Sequence, residues 1–412
     1  MLIEAETRDT PVPALDAPVG LSSWIRRYRE VRDETERRAS FLSPEDQQVQ
    51  SMPDASPTKW HRAHTSWFFE QFLLGPRLPG YRPYDDRFAF LFNSYYVAAG
   101  PRHARFHRGM VTRPTAEEVG GYRAHVDAAV IALLESLPAS SGAEVGEILE
   151  IGLNHEQQHQ ELLLTDILHA FAQNPTLPVY DPAWQPPVPS QAEGEVTLAR
   201  GIRRFGHDGR GFHFDNEAPA HEGLVQDVRV SRRLVTNREW LGFMEDRGYG
   251  RPELWLLDGW STVQAEGWTA PGYWREADGR WSVMTPGGLR AVDPDLPVCH
   301  VSHYEADAFA RWSGKVLPSE FEWEAAARSG ELDDAFGVVW QWTRSAYLAY
   351  PGYRPVEGAL GEYNGKFMSN QMVLRGSSVA TSAGHSRDTY RNFFYPGQRW
   401  QFTGLRLADD LA

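Results

Sequence analysis

The sequence contains one cysteine, Cys299, among its 412 residues. A single cysteine cannot form an internal disulfide, and it excludes a metal site built from several thiolates. No apolar run approaches the roughly 20 residues that a membrane span requires, so no membrane is expected as a partner. The N-terminus also lacks a basic region followed by an apolar core and a cleavage site. We therefore expect a cytoplasmic protein.

Basic clusters are scarce as well. The chain has 41 Lys and Arg residues against 55 Asp and Glu residues, which gives a formal net charge of −14. Proteins that bind nucleic acid neutralise phosphates with clustered Lys and Arg, so no nucleic-acid partner is expected. A hydrophobic content of 42% and a charged content of 23% are typical of globular proteins. The length predicts two domains.

The first half has the apolar spacing of a helix bundle. Four long helices are predicted, at about 21–42, 59–70, 116–137 and 144–172. A capping box at Thr115-Ala116-Glu117-Glu118 marks the start of the third helix. Ser43-Pro44-Glu45-Asp46 also has the composition of a helix start. Residues 1–175 are therefore predicted to form a four-helix bundle.

The pattern changes after a proline-rich segment. Six prolines fall from Pro175 to Pro189, which predicts a linker over residues 176–194. Beyond it come short β-like runs, at 196–198 and 225–230, and many turns. Helices are predicted at about 237–246, 302–313 and 319–328, and residues 372–407 resemble strand and loop. We expect residues 195–412 to form an α+β domain.

Two histidines, His155 and His159, stand four apart in the last predicted helix of the bundle. Residues at i and i+4 share one helix face, so one metal ion could bind both imidazoles. The alternative is a polar helix face with solvated imidazoles. Leucines on both sides of the pair favour a buried helix, in which polar groups need partners. The helix at 59–70 contributes two further candidates, His61 and His64.

The residues from His155 to His159 also satisfy the short zinc-protease string HExxH, in which Glu156 would be the general base. That interpretation requires a third ligand and a substrate groove, and so short a string recurs by chance. Imidazole ligands are compatible with zinc, iron or copper, so ligand type alone does not identify the metal.

Several motifs in fixed order resemble one family. Residues 56–70, SPTKWHRAHTSWFFE, resemble the first helix motif of the ergothioneine sulfoxide synthases, and His155-x-x-x-His159-x-Glu161 resembles the second. The second half resembles the formylglycine-generating-enzyme fold, a variant of the C-type lectin fold. Its matching stretches are 215–221, 235–240, 254–260, 297–302, 315–324 and 339–343. The resemblance covers nearly the whole chain from about residue 20.

This resemblance implies a DinB-like bundle in which His64, His155 and His159 hold a non-heme Fe(II). It implies an O₂-dependent reaction that couples a chalcogen atom to imidazole C2 of hercynine, the trimethylbetaine of histidine. Three neutral imidazoles would leave coordination positions for both substrates and O₂, which brings the reactants together.

The resemblance also assigns substrate contacts. Gln158 matches a position that hydrogen-bonds the hercynine imidazole, and Asn392 matches one that contacts the carboxylate and betaine end. Phe393, Phe394 and Trp400 could hold the trimethylammonium group by cation–π contact. Ordinary core packing is the alternative for each of these three aromatic residues.

Tyr95 and Tyr96 match a tyrosine pair that one subgroup of the family carries in its bundle. One of them could donate a proton or an electron to the bound oxygen species, and core packing is the alternative. Arg102 and Arg105, followed by Arg108, are candidates for binding a carboxylate of the second substrate. A solvated basic strip is the other interpretation of these arginines.

The chain departs from the family at residues 375–382, RGSSVATS, where the usual second glycine and the cysteine are replaced. This departure keeps two donors open, a thiol (cysteine or γ-glutamylcysteine) and the selenosugar used by the related selenoneine synthases. Formylglycine generation is disfavoured, because that chemistry uses a cysteine pair. A non-catalytic alternative is a lectin-like binding module fused to a metal-binding bundle.

Overall fold

In the computed structural model, residues 20–138, 141–190, 192–355 and 364–411 are described. Four long helices form the first half. They are α1 (Leu21–Ala39), α2 (Thr58–Phe69), α3 (Ala116–Ser136) and α4 (Gly142–Gln173). Helix α2 packs against both α3 and α4, and α1 packs against α4. The predicted four-helix bundle is confirmed.

Local sequence signals explain several helix boundaries. The predicted capping box forms, since the Thr115 hydroxyl accepts the Glu118 N–H and the Glu118 carboxylate accepts the Thr115 N–H. The helix start predicted at Ser43 yields only a short 3₁₀ turn, Asp46–Gln48. Ser43 and Asp46 do make the reciprocal capping contacts. No apolar periodicity follows them, however, and Pro53 interrupts the segment, so a longer helix has no face to bury.

The second half contains twelve short strands within its described residues. They are β1 (Glu195–Leu198), β2 (Gly201–Phe205), β3 (His221–Val225), β4 (Val228–Ser231), β5 (Trp274–Ala277), β6 (Arg280–Thr285), β7 (Gly288–Ala291), β8 (Trp340–Ala346), β9 (Met372–Gly376), β10 (Asn392–Phe394), β11 (Thr403–Gly404) and β12 (Ala408–Asp410). The strand predicted over 225–230 is in fact split, because a turn separates β3 from β4.

The sheets are small and mostly antiparallel. The largest has the order β10-β9-β8-β11, in which only β11 runs parallel to its neighbour. A second sheet has the order β1-β4-β12, and β2-β3 and β5-β6-β7 form separate ribbons. The α+β class predicted for this half is confirmed.

In the described part of the second half, four α-helices accompany these sheets: α5 (Asn237–Glu245), α6 (Leu257–Glu266), α7 (His303–Trp312) and α8 (Glu320–Arg328). Sequence analysis missed α6. Its position depends on tertiary packing, since Gly259 lies directly against the Tyr304 ring, where an added Cβ would approach within 3.0 Å. No helix among the described residues is long and apolar enough to cross a membrane.

The two halves share one continuous apolar core. Buried residues of the bundle, such as Trp67 and Phe69, belong to the same cluster as Trp240, Phe309 and Trp342 of the second half. Helix α4 lies at the junction, and several of its side chains hydrogen-bond to the second half. A site on the inner face of α4 is therefore built by both halves.

Candidate metal centre

Three histidines converge where α2 packs on α4. His64 lies on α2, and His155 and His159 lie one turn apart on α4. One nitrogen from each lies within 4.8 Å of the others. Their ring centroids are 4.6–4.9 Å apart and the rings are steeply inclined to one another. Three nitrogens this close can share one ion with little movement of the side chains.

The surroundings of His64 direct one nitrogen inward. Its Nδ1 donates to the Phe92 carbonyl oxygen at 2.6 Å. Its Nε2 is fully buried and has no protein partner. A buried polar atom without a partner is costly, and a metal ion at the centre of the three rings would satisfy it. A metal-binding histidine commonly donates its other N–H to a backbone carbonyl in this way.

The three imidazoles are held in the form that binds metals. Burial lowers the pKa of His155 to about 3. Burial also lowers the pKa values of His64 and His159 well below the usual value, and the neighbouring histidines add to this effect. Neutral imidazole offers a lone pair, whereas imidazolium does not. The donor set therefore fits a borderline metal ion such as iron or zinc.

Glu156 does not face this centre. Its two oxygens accept hydrogen bonds from Arg32 at 2.8 Å, from Arg123 at 2.9 Å and from the Thr35 hydroxyl at 2.6 Å. Burial alone would raise the pKa of Glu156, but the two guanidinium groups outweigh it and lower the pKa to about 2. A carboxylate with both oxygens occupied by arginines cannot act as the general base of a zinc protease.

Gln158 lies on the side of α4 that faces the second half. Its amide Nε2 donates to the Tyr390 hydroxyl at 2.6 Å. Tyr390 in turn packs against Trp340 and His385. Of the three clustered histidines, His159 has the largest exposed fraction, 9%, and Gln158 beside it is half-buried. The residue next to His159 on α4 is therefore bonded to the second half.

Glu161, one half-turn beyond His159, fastens α4 to the second half. Its carboxylate accepts hydrogen bonds from Trp340 Nε1 at 2.7 Å, from the Ser378 hydroxyl at 2.6 Å and from the Thr381 hydroxyl at 2.7 Å. Ser378 and Thr381 belong to the segment that departs from the family pattern. That segment therefore contacts α4, the helix that carries His155 and His159.

We expect Glu161→Leu to lower the free energy of unfolding by about 2–3 kcal/mol, because three buried donors lose their acceptor. Urea denaturation measures this change. Glu147→Leu is the matched control, since Glu147 is exposed on the same helix, and it should change stability by less than about 0.5 kcal/mol. Equal effects of the two substitutions would show that Glu161 does not join the halves.

The tyrosine pair extends an aromatic row that starts at the histidines. Trp67 stacks on His64 with a centroid separation of 5.4 Å and contacts the fully buried Tyr96 at 5.5 Å. Tyr95 stacks on Tyr96 at 4.6 Å. Phe367 then connects Tyr95 to Phe393, at 5.2 and 5.9 Å. The pair thus lies between the three clustered histidines and the predicted substrate strand, β10.

The remaining predicted substrate residues lie on the second half. Asn392 and Phe393 belong to β10, where Asn392 Oδ1 accepts the Phe393 N–H and Phe393 stacks on Tyr347 at 4.1 Å. Phe394 packs against the shared core. The Trp400 carbonyl accepts from the Tyr273 hydroxyl at 3.2 Å, and its indole N–H is buried without a partner.

The three arginines of the basic segment differ in position. Arg102 and Arg105 are exposed, and Arg105 donates to the Asp54 carbonyl. Arg108 is buried, with its guanidinium 3.4 Å from the centroid of the Trp60 ring. It donates to the Ser56 hydroxyl at 2.9 Å. Sequence reasoning did not distinguish Arg108 from the other two, because burial depends on the fold of the loop.

The fold and the site define a class: a helical bundle with a three-histidine centre, joined to a formylglycine-generating-enzyme-like domain. Residues 27–163 match the family model of the DinB superfamily. Residues 183–336 match the model of the sulfatase-modifying factor enzyme 1-like domain.

Whole-length relatives identify the family more narrowly. A hercynine oxygenase of Mycobacterium tuberculosis is 30% identical, over 87% of this chain and 92% of its own length. One of Mycolicibacterium smegmatis is 29% identical over the same shares. A formylglycine-generating enzyme of Thermomonospora curvata is 35% identical, but over only 35% of this chain and 51% of its own length. The chain belongs to the hercynine oxygenase family and is an oxidoreductase, as the motifs predicted.

Proposed function

We propose that this protein binds Fe(II) through His64, His155 and His159 and uses O₂ to form a carbon–chalcogen bond at imidazole C2 of hercynine. The observation that carries the proposal is the buried cluster of three neutral imidazoles in a chain of the hercynine oxygenase family. When bound there, iron would supply coordination positions for the substrates and O₂ and the electrons that oxygen chemistry requires.

In this proposal Gln158 orients the substrate imidazole. Gln158 is the neighbour of His159 on α4, and an amide group can both accept from and donate to an imidazole. The hydrogen bond between Gln158 and Tyr390 joins the two halves of the chain at this point. Tyr390 would hold the Gln158 amide in position through this bond while the amide meets hercynine.

Asn392 would bind the carboxylate and betaine end of hercynine, and Phe393, Phe394 and Trp400 would surround the trimethylammonium group. Aromatic faces attract quaternary ammonium ions strongly when water is excluded. These residues are partly buried and lie on a strand and a loop of the second half. If the bundle holds the metal, we expect the second half to provide the residues that recognise the substrate. The buried, unpartnered indole N–H of Trp400 is a donor available to a ligand.

Tyr95 and Tyr96 are proposed as the source of the proton or electron. Tyr96 is fully buried and lies one aromatic residue away from His64. Tyr95 is half-buried and lies nearer to Phe393 through Phe367. Along this row, Tyr96 is therefore closer to the histidine cluster, and Tyr95 is closer to strand β10.

The second substrate is proposed to be a thiol, such as cysteine or γ-glutamylcysteine, or a selenosugar. Arg102 and Arg105 are exposed and could bind a carboxylate of the donor. The replaced glycine and cysteine positions, Ser377 and Val379, do not by themselves favour selenium, because Ser377 accepts the Gly337 N–H and Val379 packs against the core. A turnover assay with each donor distinguishes them.

An aerobic turnover assay after anaerobic loading with iron tests the proposal. Hercynine is supplied with cysteine, γ-glutamylcysteine or a selenosugar, and products are identified by mass spectrometry. We expect one donor to give a C2-substituted product, with O₂ consumed only when hercynine and that donor are both present. Loss of all turnover on chelation is also expected. Absence of product with every donor would refute the assignment.

Formylglycine generation is not supported for this chain. Cys299 is the single cysteine, and burial raises the pKa of its thiol. A buried thiol in its protonated form is a poor ligand and a poor nucleophile. The match to the sulfatase-modifying-factor model therefore describes the fold of the second half and not its chemistry.

A further inference from the structure

His61 connects the ligand candidate His159 to a buried carboxylate. Its Nδ1 lies 2.8 Å from His159 Nδ1, and its Nε2 lies 3.1 Å from Asp166 Oδ2. All three side chains have at most 9% of their surface exposed. His61 precedes His64 by one helical turn on α2, and Asp166 follows His159 by two turns on α4.

The direction of these hydrogen bonds follows from Asp166. The same oxygen that faces His61 accepts the backbone N–H of Ser56 at 2.8 Å, so it is an acceptor. His61 must then carry its hydrogen on Nε2. In a neutral imidazole the other nitrogen, Nδ1, is an acceptor. It receives the hydrogen of His159 Nδ1, which leaves the Nε2 lone pair of His159 for a metal ion.

Asp166 is itself fixed by its neighbours. Ser56 donates its backbone N–H to the carboxylate, and its hydroxyl accepts from the buried Arg108. The Arg108 guanidinium lies on Trp60, which also stacks on the His64 ring at 4.6 Å. One connected group of side chains thus supports ligand candidates on both helices.

From this geometry we infer that Asp166 and His61 are positioning residues that select the tautomer and orientation of His159 for metal binding. The inference rests on the metal centre proposed above. In His64, a backbone carbonyl accepts the Nδ1 hydrogen and so fixes the tautomer. A side-chain substitution cannot remove that carbonyl. His159 depends instead on side chains, so its contribution to metal affinity can be altered without touching a ligand.

The test measures the affinity of the full-length apo protein for Fe(II) and for Co(II), by competition with a chromophoric chelator. Visible absorption of the Co(II) form reports the coordination. His61→Phe removes the acceptor and keeps a planar ring of similar size. His61→Asn keeps an oxygen close to the position of Nδ1. Asp166→Asn leaves His61 in place but replaces the carboxylate by a weaker, neutral acceptor.

We expect His61→Phe to weaken metal binding by about 10- to 100-fold, as partner loss around metal-binding histidines generally does. His61→Asn should stay within about threefold of the wild type, and Asp166→Asn should fall between the two, because charge-assisted hydrogen bonds are roughly twice as strong as neutral ones. His169→Phe is the matched control. His169 lies on the same helix, is bonded to the Ser51 hydroxyl and is outside the cluster, so its replacement should leave affinity unchanged.

Thermal unfolding of each apo protein separates positioning from folding. A purely structural role predicts lower apo stability with unchanged affinity in whatever fraction remains folded. Wild-type affinity and an unaltered Co(II) spectrum in both His61→Phe and Asp166→Asn would overturn the inference. If His61→Phe does not fold, the metal affinities of the other two variants decide the question. The inference predicts weaker binding by Asp166→Asn than by His61→Asn, and the reverse order would overturn it. Failure of the wild-type chain to bind either ion would overturn the metal centre itself, and this inference with it.

Discussion

Replacing His155 by alanine is expected to abolish stoichiometric metal binding and to reduce turnover at least about 1,000-fold. Two imidazoles bind a metal ion more weakly than three do. His155 is fully buried and belongs to the cluster of three histidines. Burial of His155 also excludes water, which could otherwise replace the lost ligand. Metal content after dialysis and product formation measure the two effects.

His64→Ala and His159→Ala should behave in the same way, and His169→Ala should retain full metal content. Full retention of iron by any one of the three ligand variants would remove that residue from the ligand set. Exogenous imidazole provides a further control, because it can enter the space left by the side chain. Partial recovery of metal content by imidazole is expected for His159→Ala, whose side chain is the most exposed of the three.

Replacing Glu156 by alanine is expected to lower the free energy of unfolding by about 3–5 kcal/mol, the range measured when one partner of a buried ion pair is removed. Glu156 neutralises both Arg32 and Arg123, and all three side chains have at most 3% of their surface exposed. Without the carboxylate, each buried guanidinium group loses its fully buried counter-charge, and only the partly exposed Asp127 and Glu36 remain as partners. Chemical denaturation measures the change.

Glu150→Ala on the same helix is the control. Glu150 pairs with Arg27 at 3.4 Å, but about 30% of each side chain is exposed, and such pairs contribute less than about 1 kcal/mol. Comparable losses for the two variants would mean that burial of the Glu156 network adds nothing. A zinc-protease role for Glu156 predicts a different outcome, loss of hydrolysis at unchanged stability.

Much of the bundle could be predicted from the sequence because its signals are local. The Thr115 capping box and the spacing of apolar residues fix helix positions within a few residues. His155 and His159 share a helix face by their spacing alone. His64 required the family motif, since the pairing of α2 with α4 is a long-range contact that periodicity does not encode.

The support around the centre could not be predicted, because it depends on which helices meet. Asp166 and His61 are 105 positions apart, and nothing in their local sequence indicates the contact. The same applies to the pairing of Glu156 with Arg32, which are 124 positions apart. Similarly, Arg108 differs from Arg102 and Arg105 only in its burial. In each case the residue type was visible and the partner was not.

Helix α4 carries two of the proposed ligand histidines and also Glu161, which accepts hydrogen bonds from Trp340, Ser378 and Thr381 of the second half. Ion binding and the contact between the two halves therefore involve the same helix. If ion binding favours the contact between the halves, that contact must favour ion binding by the same free energy. An iron-loaded chain should accordingly resist proteases at the junction near residue 175, and a weakened junction should release its iron sooner.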